Sequence, residues 1–178
     1  MADARSFMTG AMEWWRQHPF AGVLTRFVAY FVVFEVLVIL AYTRTPLGMS
    51  LSLLTARWAA ALIGATGVPA TLSGITIEIP NRVLGIGWDC TAIYIVAMFA
   101  ALLLAYPIKW SMRLLGVLIG TIVILIANLL RLVLVAHISV WAPSIFGFAH
   151  DVLFQVGMVL VAAAMWVAWL SFARRHVA

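Results

Sequence analysis

Residues 127–135 read A-N-L-L-R-L-V-L-V and lie near the far end of an apolar run that begins after Lys109. A guanidinium inside a membrane-length apolar segment is expensive and is kept only where it has a partner or a task, so Arg131 is a candidate functional residue by default. Composition decides whether the run belongs to a membrane. Of 178 residues, 66% are hydrophobic and 10% charged, and the mean hydropathy is +1.12. No water-soluble domain tolerates such values. The expected fold is an all-α membrane protein: a polytopic helical bundle with a small external β-hairpin, forming one integral membrane domain over residues 1–178.

A net charge of +5 and a pI of about 10.2 would suit a nucleic-acid partner, but the cations are sparse and flank apolar runs. They read as topology signals under the positive-inside rule, and no nucleic acid is expected. Cys90 is the single cysteine, so no internal disulfide can form and the redox compartment is not readable from pairing.

Working outward from Arg131, the expected spans are about 20–42, 90–106, 113–139 and 151–172. Residues 1–19 carry Arg5, Arg16 and His18 beside Trp14 and Trp15, which fits a cytoplasmic segment at the interface. Residues 48–66 are long enough to cross but contain Ser50, Ser52, Thr55 and Arg57. A full crossing there would invert everything downstream. Lys109 and Arg113 flank one turn, and Arg174 and Arg175 follow the last span, so both places should be cytoplasmic. Residues 48–66 are therefore expected to be an interfacial helix or a re-entrant hairpin. A pairing of Glu35 with Arg57 is an alternative account of those two charges.

Residues 70–87 change character. Ile75, Ile77 and Ile79 alternate with Thr76 and Glu78, and Pro80 with Asn81 offers a turn into residues 82–86, giving the external hairpin. Further on, Gly116 and Gly120 form a small-xxx-small pair that would let another helix approach closely.

A helix ruler brings the chemistry-bearing residues together. At 1.5 Å per residue, Cys90 lies about 28 Å from Lys109 and Arg131 about 27 Å from Arg113, against a hydrocarbon core of about 30 Å. His150 to Arg174 is about 36 Å, which tilt accommodates. Three successive segments thus deliver Cys90, Arg131 and His150 to one leaflet. Taken singly, each has an ordinary explanation: a small apolar thiol, a cation snorkelling along its stem, an interfacial imidazole. Together they weigh more, because Asp89 is a plausible N-cap that would set Cys90 at a helix N-terminus, where the dipole and a nearby cation lower a thiol pKa. Asp151 is expected either to cap the last helix or to orient His150.

On these residues the chain resembles the exosortase/archaeosortase family of membrane-embedded cysteine transpeptidases. Members have a Cys at the outer start of a span, an N-x-x-R motif late in the next and a His opening a following one. Cys90, Asn128 with Arg131 in N-L-L-R, and His150 in H-D-V-L-F-Q-V-G match. The resemblance covers residues 74–157. The family often has Gly two residues after the Cys, whereas this chain has C-T-A. The resemblance implies a membrane cysteine protease or transpeptidase, without cofactor or metal, that cleaves C-terminal sorting signals of exported proteins at the outer face of the cell membrane. Its partners would be exported proteins with a C-terminal transmembrane sorting tail, and the bilayer. In this reading Cys90 is the nucleophile, His150 shuttles the proton and Arg131 stabilises thiolate or oxyanion. Asn128 lies three residues before Arg131 on the same helical face and is expected either to hold its guanidinium or to add a donor.

Two rival readings use other residues. His137 and His150 flank a short loop and would ligate haem or a metal in a binding protein. A non-catalytic membrane subunit would use Gly116 and Gly120 as its docking face.

Overall fold

The computed structural model describes residues 19–177. The expectation for residues 1–18 lies outside the described residues. Helices dominate: α1 (Pro19–Arg44), α2 (Leu47–Ala65), α3 (Ile93–Ala105), α4 (Trp110–Trp141) and α5 (Phe154–Val177), with a small sheet between α2 and α3. Among the described residues, four segments are long and apolar enough to cross a membrane: Phe20–Arg44, Leu47–Ala65, Trp110–Trp141 and Pro143–Arg175. The protein is a multi-pass helical membrane protein.

The sheet is a three-stranded antiparallel meander of β1 (Thr71–Ser73), β2 (Thr76–Ile79) and β3 (Arg82–Gly85), in the order β1-β2-β3. The expected hairpin is β2–β3, with Thr76 opposite Gly85 and Ile79 opposite Arg82. β1 adds a third strand through a second tight turn at Gly74, whose φ of 60° suits a residue without Cβ. The isoleucine alternation does its expected job: Ile77 and Ile79 are buried, while Glu78 between them is exposed.

α3 departs from the expected span. It has only 13 residues, about 20 Å of helix, because the chain before it is not helical. Cys90 closes a separate 3₁₀ turn, Trp88–Cys90, and Ala92 takes a left-handed conformation with φ 57° before the helix begins. α3 then runs antiparallel along α4: Asn128 meets Cys90, Gly120 meets Phe99, and Arg113 donates to the carbonyls of Leu104 and Ile108 at 3.1 and 2.9 Å. The remainder of α4 extends past Cys90 and packs Leu132, Val135 and Ala136 against α2 and the sheet.

Gly116 and Gly120 are used within the protein, contrary to the expected external docking face. A Cβ on Gly120 would lie 2.0 Å from Cε1 of Phe99, and one on Gly116 would lie 2.4 Å from Nε1 of Trp169. The two glycines admit an α3 ring and an α5 ring, and Trp169 Nε1 also donates to the Met112 carbonyl at 3.0 Å. Close approach was the correct inference from small residues; the partners come from the same chain. Arg174 of α5 reaches the Tyr106 hydroxyl beside the turn that carries Lys109 and Arg113, so the two cation-bearing segments meet at one end of the molecule.

α2 is one unbroken helix, so the re-entrant hairpin is not formed. Its hydroxyls do not interrupt it, and Ser52 is turned onto the Tyr42 hydroxyl of α1. The Tyr42 ring in turn lies 6.5 Å from that of Trp88. The rest of its buried stripe, Ala56, Ala59, Ala60 and Ile63, packs with Ile77, Ile86 and Cys90. Both ends of α2 therefore sit on the Trp88–Cys90 side of the molecule. Glu35 and Arg57 form no ion pair among the described residues: Arg57 is exposed, and Glu35 Oε1 is buried without a hydrogen-bond partner.

Candidate functional site

The site lies where the sheet, the 3₁₀ turn, α4 and the lead-in to α5 converge. The turn exists because Gly87 starts it in extended conformation and the Cys90 N–H donates to the Gly87 carbonyl at 3.1 Å. No side-chain cap is made at this turn or at the start of α3. Asp89 is thus not the expected N-cap; it is an exposed carboxylate beside the thiol. Left-handed Ala92 is the reason, since it breaks the path between the turn and α3 and keeps the macrodipole from addressing Cys90 directly. That conformation costs a residue with a Cβ about 1–2 kcal/mol. It is also the position at which the resembled family often has Gly, the residue that adopts it without that cost.

Cys90 is 5% exposed, and its Sγ lies 3.8 Å from the Gly85 carbonyl of β3. Burial pushes the thiol above the ordinary cysteine range, Asp89 adds to the rise, and the Arg131 guanidinium opposes it. This reverses the expectation of a thiol activated in its resting state: removal from water and the neighbouring carboxylate outweigh the single cation. The sign fixes a measurable outcome. Iodoacetamide should alkylate Cys90 more slowly than a free solvent-exposed thiol at neutral pH, with a rate that climbs into the alkaline range. Faster labelling than glutathione at pH 7 would contradict it.

Asn128 and Arg131 enter from α4, one helical turn apart, and are 1% and 4% exposed. Asn128 does not hold the guanidinium. Its Nδ2 donates to the Cys90 carbonyl at 2.7 Å, which fixes the backbone of the thiol-bearing residue. Asn128 Oδ1 and Arg131 Nε are both buried without a hydrogen-bond partner among the described residues. A buried polar group left unpaired costs about 1–3 kcal/mol, more when charged, so both atoms have hydrogen-bonding capacity that the described residues do not use.

His150 stands in a π-helical turn, Ala149–Leu153, at the entrance to α5. Such turns appear mostly as local bulges and often at functional sites. Asp151 orients it: His150 Nδ1 lies 2.8 Å from Asp151 Oδ1, which leaves Nε2 to act as base or acid. The imidazole stacks on Phe146 with ring centroids 5.6 Å apart and planes 14° apart, and the Arg82 guanidinium sits 3.9 Å above the same Phe146 ring. Cys90, His150, Phe146 and Arg82 line one cavity of about 250 Å³, completed by Leu84, Leu132 and Val135 among others.

The structure therefore brings Cys90 and His150 to a common cavity and sets Arg131 within electrostatic reach of the thiol. It adds two residues that the sequence reading missed. Phe146 was detectable as an aromatic four positions before His150 on a helical path. Arg82 reaches the site only through strand pairing, which leaves no local signal. His137 stays apart, with Nδ1 2.9 Å from the Val133 carbonyl of its own helix, and does not line this cavity.

A helical multi-pass membrane protein with a thiol and an imidazole on one cavity, beside a buried guanidinium, defines a class: membrane-embedded proteins carrying a cysteine–histidine–arginine constellation. Comparison narrows this. The chain matches the family model for transmembrane exosortases over residues 6–170 and belongs to that family. Neither the curated proteins nor the solved structures give a match.

Proposed function

We propose that this exosortase-family protein is a cysteine peptidase or transpeptidase that cleaves C-terminal sorting signals of exported proteins at the outer face of the cell membrane. The observation that carries the reading is the cavity shared by Cys90 and His150. Because the thiol is held above its ordinary range, His150 Nε2 takes its proton as attack proceeds, while Asp151 holds Nδ1. The sulfur adds to the scissile carbonyl and Arg131 stabilises the oxyanion. As the intermediate collapses, the C–N bond breaks and the leaving amine takes the proton from His150. A thioester on Cys90 remains for an acceptor.

The sheet supplies a way to present the substrate. β3 is an edge strand, paired only with β2, and its residues form one wall of the cavity. An extended recognition motif adding alongside β3 would carry its carbonyls past Cys90, with backbone pairing for affinity and side-chain pockets for choice. The cations at Lys109, Arg113 and Arg174 gather at the opposite end from Cys90, which supports an inner position for them and an outward site. Both ends of α2 on the Cys90 side favour an interfacial α2 with no net crossing. Gly116 and Gly120 are filled internally, so a substrate span would pack elsewhere.

Trapping tests the reading. In wild-type protein quenched in acid during turnover, mass spectrometry should find a protein joined to Cys90 as a thioester whose C-terminus ends just before an apolar segment, and His150→Ala should yield none, because the base that takes the thiol proton and hands it to the leaving amine is gone. Free Cys90 alone, with identical exported-protein C-termini in wild-type and mutant cells, would sink it.

A further inference from the structure

Apart from the Cys90–His150 cavity, the molecule has a larger groove of about 440 Å³ between α2, α3 and α4. Its walls are mostly apolar, with Leu51 and Trp58 from α2, Val96 from α3 and Leu125 from α4. Thr91 and Asn128 also line it. Asn128 is 1% exposed and its Oδ1 has no partner. The amide orientation is not arbitrary: its other end meets the Cys90 carbonyl, which can only accept, so the nitrogen must face Cys90 and the oxygen must remain an open acceptor.

We infer that this groove binds a membrane lipid, one acyl chain lying along α4 from Asn128 toward Thr121 and a headgroup N–H or O–H donating to Asn128 Oδ1. Size selects the occupant. A membrane-spanning helix about 10 Å across and 30 Å long occupies roughly 2,400 Å³, several times the groove. The groove falls instead within the range of about 300–1,000 Å³ typical of small-ligand sites. Direction agrees, since Thr121 lies seven residues, about 10 Å, further from the Cys90 end along α4 than Asn128 does. The headgroup thus rests at the level of the turn and the chain points toward the bilayer interior. This goes beyond the proposed function and does not depend on it. The bound lipid completes the hydrogen bonding of the residue that holds Cys90 in place, so the leaflet composition is read at the site.

Native mass spectrometry of the full-length Cys90→Ala protein, equilibrated with vesicles of equal phosphatidylethanolamine and phosphatidylcholine with identical chains, tests this without requiring catalysis. The first headgroup has N–H donors and the second none. One retained lipid is expected, with the amine form favoured about tenfold, the value of one charge-assisted hydrogen bond. Leu125→Trp, which fills the groove one helical turn before Asn128, should abolish retention of both lipids. Asn128→Leu should keep a lipid but lose the preference. Equal retention of the two lipids by wild-type Asn128, retention unaffected by Leu125→Trp, or displacement of the lipid by a 20-residue apolar helical peptide would each overturn the inference.

Discussion

Replacing Cys90 with Ala should eliminate processing of sorting signals while leaving the protein folded and membrane-inserted. The expected loss is on the order of 10⁶-fold, the scale found when a covalent nucleophile is removed from a unit that acts together. Stability should change little, because the thiol makes only a long contact to the Gly85 carbonyl and its backbone anchors, Gly87 and Asn128, remain. Counting mature C-termini of exported proteins by mass spectrometry, in cells expressing either form at equal level, gives the answer. Undiminished processing by Cys90→Ala would remove the enzyme reading altogether.

The second large effect is expected at Arg131, and it separates activity from stability. Arg131→Met should lower turnover by about 10²–10³-fold, the value of one electrostatic contact to a developing oxyanion. It should leave the thermal midpoint unchanged or raise it, since an apolar side chain of similar length replaces a buried cation whose Nε has no partner. Cys90 should also become harder to deprotonate, as the guanidinium is the charged group that opposes the rise. If Arg131 were a structural cation, the midpoint would fall and residual turnover would track the folded fraction. Measuring both on one preparation distinguishes the two cases.

What the sequence made legible was depth. The helix ruler needs only segment lengths and one rise per residue, and it put Cys90 and Arg131 at one level because α3 and α4 are antiparallel neighbours. His150 followed by the same logic. The family was legible too, since Cys90, N-L-L-R and His150 form a combination far more specific than its parts. Lateral arrangement was not legible. Gly116 and Gly120 announce a close approach without naming Phe99 and Trp169 as its partners. Local conformation before α3 was also hidden: W-D-C-T-A reads as a capped helix start, and only the left-handed Ala92 turns it into a separate 3₁₀ turn. That one dihedral accounts for the missing Asp89 cap, while the raised thiol follows from burial and the neighbouring Asp89 carboxylate. Arg82 lay beyond reach because strand pairing, not spacing, brings it to Phe146.

The reversal at Ala92 also determines what the nucleophile is mechanically fastened to. Cys90 is tied to Gly87 through its own N–H, to α4 through Asn128, and lies against the Gly85 carbonyl of β3. The helix that follows is joined to it only across a chain reversal. A helix shorter than the hydrocarbon core is met by local thinning of the bilayer and not by tilt, and α3, with 13 residues, is the shortest of the five long helices among the described residues. A displacement of α3 with the bilayer reaches Cys90 only through residues 91 and 92, whereas Gly87 and Asn128 hold the turn from its other side, so the thiol takes its bearing from the sheet and α4 and not from the helix that follows it.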